Sequence, residues 1–282
     1  MNKVRLHINY AGYCLAKESH SIKGGKNKDI RFQAMFGLIQ HPKYGWILYD
    51  TGYTRRFFDA TNKYPNKIYA KMTKVVIKEE DEVVKKLSHF NLTPADIKHV
   101  IISHFHADHI GGLKDFKNAT FYVSKEAYKQ YQKTSSFFGF TKGILKDLVP
   151  IDFEQRLVFI EEFASQSADD IFNFKYDLFK DQSILVYALP GHAAGQIGLQ
   201  LNTEKNKYFL VSDACWNIRA ITELSLPSSI VRLFFDSWKS YKSSIRKLNS
   251  YHKKYPEVII VPTHCSLTTS KLVSNKFDMD EL

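Results

Sequence analysis

Cysteine is scarce in this 282-residue chain: there are three, Cys14, Cys215 and Cys265, with no CxxC spacing. An odd count without pairing motifs argues against a disulfide framework and makes a reducing cytoplasm the expected location. Long apolar runs are also missing, and no stretch approaches the roughly 18 residues of a membrane span. The basic Lys3 and Arg5 are not followed by an apolar run of signal-peptide length, so no export signal is expected. There is no internal repeat, no low-complexity tract, no Gly/Ser linker and nothing collagen-like. Arginine-rich blocks and zinc-finger, helix-turn-helix or RNA-recognition signatures are absent, although the formal net charge is +11. That excess is mostly lysine scattered along the chain. It reads as a solvated surface and disfavours nucleic acid as a partner.

What remains is an ordinary globular composition, 44% hydrophobic and 24% charged, sufficient to bury a core without staples. Length alone leaves one large α/β domain or two small ones open. Residues 4–10, 31–40 and 46–49 read as strands, with His41, Pro42 and Gly45 supplying the turn between the last two. Val83, Val84, Leu87 and Phe90 share a helical face whose first turn holds Glu79, Glu80, Asp81 and Glu82, matched to the helix dipole. Thr93-Pro94 reads as an N-cap followed by Pro at the first helical position. Residues 99–103 form a short β-branched run, hence a buried strand, and 121–123, 183–189, 208–211 and 258–261 are further strands. A helix is expected through Tyr131, and a second one carries Phe235, Trp238, Tyr241, Ile245 and Leu248, with Asp236 as its N-cap. Residues 135–180 hold nine of the 21 phenylalanines and little strand character. They are expected to form a Phe-rich insertion, either an apolar lid over a site or a helical layer of the core.

The densest chemistry lies directly after the strand at 99–103. His104, His106, Asp108 and His109 fall within six residues, and imidazole with carboxylate suits zinc and other divalent first-row metals. In extended chain, residues i and i+2 point the same way, so His104 and His106 can grip one ion. A turn after them lets Asp108 and His109 swing towards a second, and Gly111-Gly112 permits tight backbone there. Other strand ends deliver the same residue types: Pro190-Gly191-His192, Ser212-Asp213 and Pro262-Thr263-His264. Each of these, taken alone, could be an ordinary turn, a strand-end cap or a buried histidine.

The run His104-x-His106-x-Asp108-His109 resembles the HxHxDH signature of the metallo-β-lactamase superfamily, with His192, Asp213 and His264 following in the expected order and Asp50-Thr51-Gly52 matching an early D-T-G turn. The resemblance implies an α/β fold, a four-layer αβ/βα sandwich, formed by residues 1–282 as a single domain. It further implies two divalent ions, zinc by default, with iron, manganese or cobalt able to use the same donors. His104, His106 and His192 would bind the first, Asp108, His109 and His264 the second, and Asp213 would bridge them. Asp50 would orient a ligand histidine. The activity implied is hydrolysis by a metal-bridging hydroxide, with Asp108 also able to accept or return a proton.

Within the superfamily the layout is similar to the N-acyl homoserine lactone lactonases, which implies a small-molecule lactone or ester with an apolar tail. A thioesterase or biosynthetic hydrolase on an acyl intermediate, and a phosphodiesterase or nuclease, are the alternatives. Those lactonases commonly carry Tyr three residues after the bridging Asp, whereas this chain has Trp216, a donor without a phenolic oxygen. Asp108, Asp213 and Trp216 are therefore the catalytic candidates, with Trp216 either replacing the Tyr or packing a pocket wall. Ile221, Leu224, Leu226, Pro227, Ile230, Leu233 and Phe234 could line an acyl pocket, form a buried loop or make a homodimer contact.

Overall fold

The β-branched and aromatic runs build two sheets in the computed structural model, which describes residues 2–163, 165–167 and 170–273. The first holds β1 (Arg5–Lys17), β2 (Asp29–His41), β3 (Gly45–Tyr49), β4 (Lys74–Val76), β5 (Ile97–Ile101), β6 (Thr120–Val123) and β7 (Leu157–Phe159), ordered β4-β1-β2-β3-β5-β6-β7. The second holds β8 (Ser165–Ser167), β9 (Phe174–Asp177), β10 (Ile184–Ala188), β11 (Ile197–Asn202), β12 (Lys207–Ser212) and β13 (Val258–Pro262), ordered β13-β12-β11-β10-β9-β8.

The period of two in β2 sorts its side chains between layers. Met35 and Ile39 enter the core between the sheets, with Ile47, Ile101, Val186, Leu199, Leu210 and Val261. Ala34, Phe36 and Leu38 face outward, where Val83, Leu87, Ile110 and Phe116 cover them. On the far side Leu185, Phe209 and Val211 meet Tyr241, Ile245 and Leu248 of the helix Trp238–Lys254. The expected sequence of helical layer, sheet, sheet and helical layer is thus what the chain forms.

Strand direction explains where the polar residues collect. β3 and β5 are parallel, so Asp50 and the His104 segment emerge at the same edge. β12 and β13 are parallel and emit Asp213 and His264, while β10, antiparallel to β11 like β12, sends His192 the same way. Five strand ends converge on one rim.

Several local expectations change. The first strand runs on to Lys17 through an irregularity between Tyr10 and Tyr13. The acidic residues at 79–82 do not form the first turn of the helix; Glu79–Asp81 is a separate 3-10 turn, and Glu82 stands at the N-cap of Val83–Leu87 without a side-chain capping bond. Glu79 and Glu82 are drawn instead to Arg55, and Glu79 also to Lys85. Thr93 does cap, but only the single turn Pro94–Asp96, because Ile97 is already needed in β5. Ser237, not Asp236, caps the helix Trp238–Lys254, and Asp236 accepts from Gln130 Nε2 instead. The segment 135–180, of which residues 164, 168 and 169 lie outside the described residues, is divided between layers. Phe153 is buried on the outer face of the first sheet, Phe172 on that of the second, and Phe137 and Phe138 are exposed. No helix among the described residues is long and apolar enough to cross a membrane. The three cysteines are free.

Candidate metal centre

The site is assembled from the short turns that follow the converging strands. After β5 the chain passes Ile102 and Ser103, presents His104 and His106, and makes one helical turn, Ala107–Ile110, bearing Asp108 and His109. That turn is pressed on the loop after β3: a Cβ on Gly111 would lie 2.5 Å from the Gly52 carbonyl oxygen, so only glycine fits. Ser103 Oγ accepts from Ser212 Oγ at 2.9 Å, linking the two sheets immediately before His104 and Asp213. Thr263 N–H donates to the Ser212 carbonyl at 3.2 Å and so ties the ends of β12 and β13 together, one residue before His264 and Asp213.

Seven potential ligands form two groups. The donor atoms of His104, His106 and His192 lie within 4.8 Å of one another, as do those of Asp108, His109, Asp213 and His264. His192 Nε2 is 2.9 Å from His106 Nδ1. In the second group His264 Nε2 is 2.9 Å from Asp213 Oδ2 and 3.4 Å from Asp108 Oδ2. Asp213 reaches both groups, 3.4 Å from His192 Nε2 and 3.4 Å from His109 Nε2.

The outer edges of two imidazoles are already engaged. Asp50 Oδ2 accepts from His109 Nδ1 at 2.7 Å, and the Gln33 carbonyl accepts from His264 Nδ1 at 2.8 Å. Both acceptors lack protons, so Nδ1 carries the hydrogen and Nε2 can offer a lone pair inward. Asp50 also accepts from Ser103 N and Ser103 Oγ, both at 2.8 Å. Inward-facing His104 Nε2, His109 Nε2 and Asp213 Oδ1 are buried with no hydrogen-bond partner among the described residues. Unpartnered buried nitrogen and carboxylate oxygen atoms aimed at a common point are the donor set that a divalent ion satisfies. The residues present fit such ions.

The two groups differ electrically. Burial pushes the His104 and His192 imidazoles well below the usual histidine range, and neighbouring histidines, His109 for the first and His106 for the second, add to this. Burial likewise lowers His106. For His109 burial opposes the charge, but Asp108, Asp50 and Asp213 overcome it and raise the imidazole well above its usual range. His264 is raised too, burial being outweighed by Asp213. Burial would raise Asp213, yet His264 and His109 hold its carboxyl well below the usual range.

Every residue expected as a ligand lies at the rim, and Asp50 lies directly behind His109. Trp216 is there as well, its indole N–H donating to Asp213 Oδ2 at 3.0 Å. Of the apolar stretch after Asp213, Ile221 is buried, whereas Leu224, Ile230, Leu233 and Phe234 are exposed. Ile230 and Leu233 line an open recess of about 480 Å³ with Phe235 and Trp238. Sequence reasoning missed Phe32, whose ring lies 5.0 Å from that of His264, and Phe235, 5.1 Å from His192. It also missed the Gln33 carbonyl, for which no side-chain signal exists, and Gly143, which a Cβ would bring within 2.9 Å of the His106 ring. Ser103, adjoining the histidine motif, could have been found.

Residues 30–264 match the family described as the Metallo-beta-lactamase superfamily. The N-acyl homoserine lactonase AttM of Rhizobium radiobacter is 27% identical over 266 residues, spanning 92% of this chain and 93% of that one. A crystal structure of a Bacillus thuringiensis AiiA mutant with N-decanoyl-L-homoserine bound at its active site superposes with a TM-score of 0.74 at 21% identity, covering 96% of both chains. AidC, a dizinc quorum-quenching lactonase, gives a TM-score of 0.61 at 16% identity, covering 94% of this chain and 88% of its own. At these identities the structural likenesses speak to the fold.

Proposed function

The chain belongs to the metallo-beta-lactamase superfamily, and from that premise we propose that it hydrolyses a lactone bearing an apolar acyl tail, of the N-acyl homoserine lactone type. The observation that carries this reading is the reach of one carboxylate, Asp213, into both ligand groups. His104, His106 and His192 would hold one divalent ion and Asp108, His109 and His264 the other, with Asp213 between them. Zinc suits these donors best, and iron, manganese or cobalt could use them too. Ions held there would polarise the ester carbonyl and supply an activated water.

The chain's own groups do the rest. Asp108 is assigned to take the proton of the attacking water and return it to the ring oxygen as the acyl–oxygen bond breaks, giving a hydroxy acid. That acid is ionised at neutral pH, so turnover releases one proton to solution. Phe32, Trp216 and Phe235 border the ligand histidines with apolar rings, which suits an uncharged substrate. The acyl tail is assigned to the recess beyond Phe235, along Ile230, Leu233 and Trp238.

The test is proton release by zinc-loaded protein from a panel: butanoyl- and decanoyl-homoserine lactone, an acyl thioester and bis-p-nitrophenyl phosphate. Turnover of the lactones, lost in Asp213→Ala, is expected. Turnover of the thioester or phosphodiester alone would overturn the substrate class while leaving the metal chemistry standing.

A further inference from the structure

Trp216 has a single polar hydrogen and no acceptor, so it can serve one partner at a time. In this structure that partner is Asp213 Oδ2, at 3.0 Å. The ring is held on three sides: Phe235 at 5.1 Å, His192 at 5.4 Å and Phe32 at 5.6 Å between centroids. The loop beneath it is closed by hydrogen bonds from Ala214 N to the Val211 carbonyl and from Cys215 Sγ to the Asn217 carbonyl. The indole is therefore fixed in plane and in reach, with its N–H directed at the carboxylate.

The other nitrogens near that carboxylate belong to His264, His192 and His109. Once these act as ligands they present lone pairs rather than protons, which leaves the indole as the proton donor on Asp213 among the described residues. We propose that Trp216 is a positioning residue that locks the Asp213 carboxylate in the orientation from which it serves both ligand groups, rather than a donor to the substrate carbonyl. The inference rests on the two-ion reading above. Its consequence is that ions held there, rather than the indole, would polarise the carbonyl, and that loss of the indole N–H is felt first in metal binding.

The experiment compares native protein with Trp216→Phe, which keeps an aromatic ring and removes the N–H. Zinc affinities are read by competition with a chelator, and kcat and KM on a lactone are read separately. Expected is a roughly tenfold weaker binding of at least one ion, with kcat reduced and KM within about twofold of native. Unchanged affinity for both ions, whatever happens to turnover, would overturn the proposal. A native protein that binds no zinc would instead overturn the metal reading itself. Should the variant not fold, the native protein labelled with 15N-tryptophan gives the second measurement. It has three tryptophans, and one indole N–H should exchange slowly and shift on zinc addition. Three freely exchanging indole protons, none moved by zinc, would refute the contact.

Discussion

Replacing Asp50 by Asn changes almost nothing in volume and reverses the sense of the two hydrogen bonds made by Oδ2, those from Ser103 Oγ and His109 Nδ1. Asp50 is 1% exposed and accepts from Ser103 N through Oδ1 and from Ser103 Oγ and His109 Nδ1 through Oδ2. An Asn oxygen can still take the Ser103 N–H, but its NH₂ group then faces His109 Nδ1. The imidazole must accept there, which moves its proton to Nε2, the atom facing Asp213 at 3.4 Å and Asp108 at 3.5 Å. An N–H in that place cannot ligate. Loss of such an orienting partner weakens metal binding about 10–100-fold, equivalent to about 1.4–2.8 kcal/mol. The effect should fall on the group containing His109, with the group of His104, His106 and His192 changed by no more than about threefold. Stepwise chelator competition on Asp50→Asn resolves the two affinities. Equal affinities to native at both steps would refute the tautomer argument.

Other outcomes follow from the same geometry. His109 and His264 have raised pKa values, so they keep their protons to higher pH than ordinary histidines and must shed them to become ligands. Zinc binding to their group should therefore release protons, and its affinity should climb as pH rises towards those raised values. His104, His106 and His192 are lowered, so their group should release none at neutral pH and weaken only in acid; a weakly buffered titration with a pH indicator separates the two. Gly143 has a φ of +67° and abuts His106. Gly143→Ala should lose about 1–2 kcal/mol by chemical denaturation and weaken the His106 group, whereas full retention of both would show that His106 is free to shift. Leu233→Asp should raise KM for decanoyl-homoserine lactone about three- to tenfold relative to the butanoyl substrate, from the loss of apolar cover worth about 0.8 kcal/mol per buried methylene; an equal effect on both would remove the tail from that recess.

Much of the candidate site was legible because its potential ligands cluster in sequence or sit at the ends of recognisable β runs. His104 to His109 occupy six residues, and His192, Asp213 and His264 each follow a run of buried β residues. The residues that orient them were less visible. Gln33 contributes a main-chain oxygen, and Phe32 and Phe235 reach the histidines only through tertiary packing. Local helix starts were misread for a related reason. The acidic residues at 79–82 satisfy a helix N-terminus on paper, but Arg55, distant in sequence, claims Glu79 and Glu82. Propensity and capping rules see neighbours along the chain, and these partners come from elsewhere.

Two ions held around Asp213 are what would make this chain a lactone hydrolase. The most direct test follows proton release from N-decanoyl-homoserine lactone while metal-free protein is titrated with zinc from zero to two equivalents. No release is expected without zinc and the greatest rate at two equivalents, with the same series on Asp213→Ala flat throughout. Full turnover by the metal-free protein, or none from a protein shown to hold both ions, would contradict it.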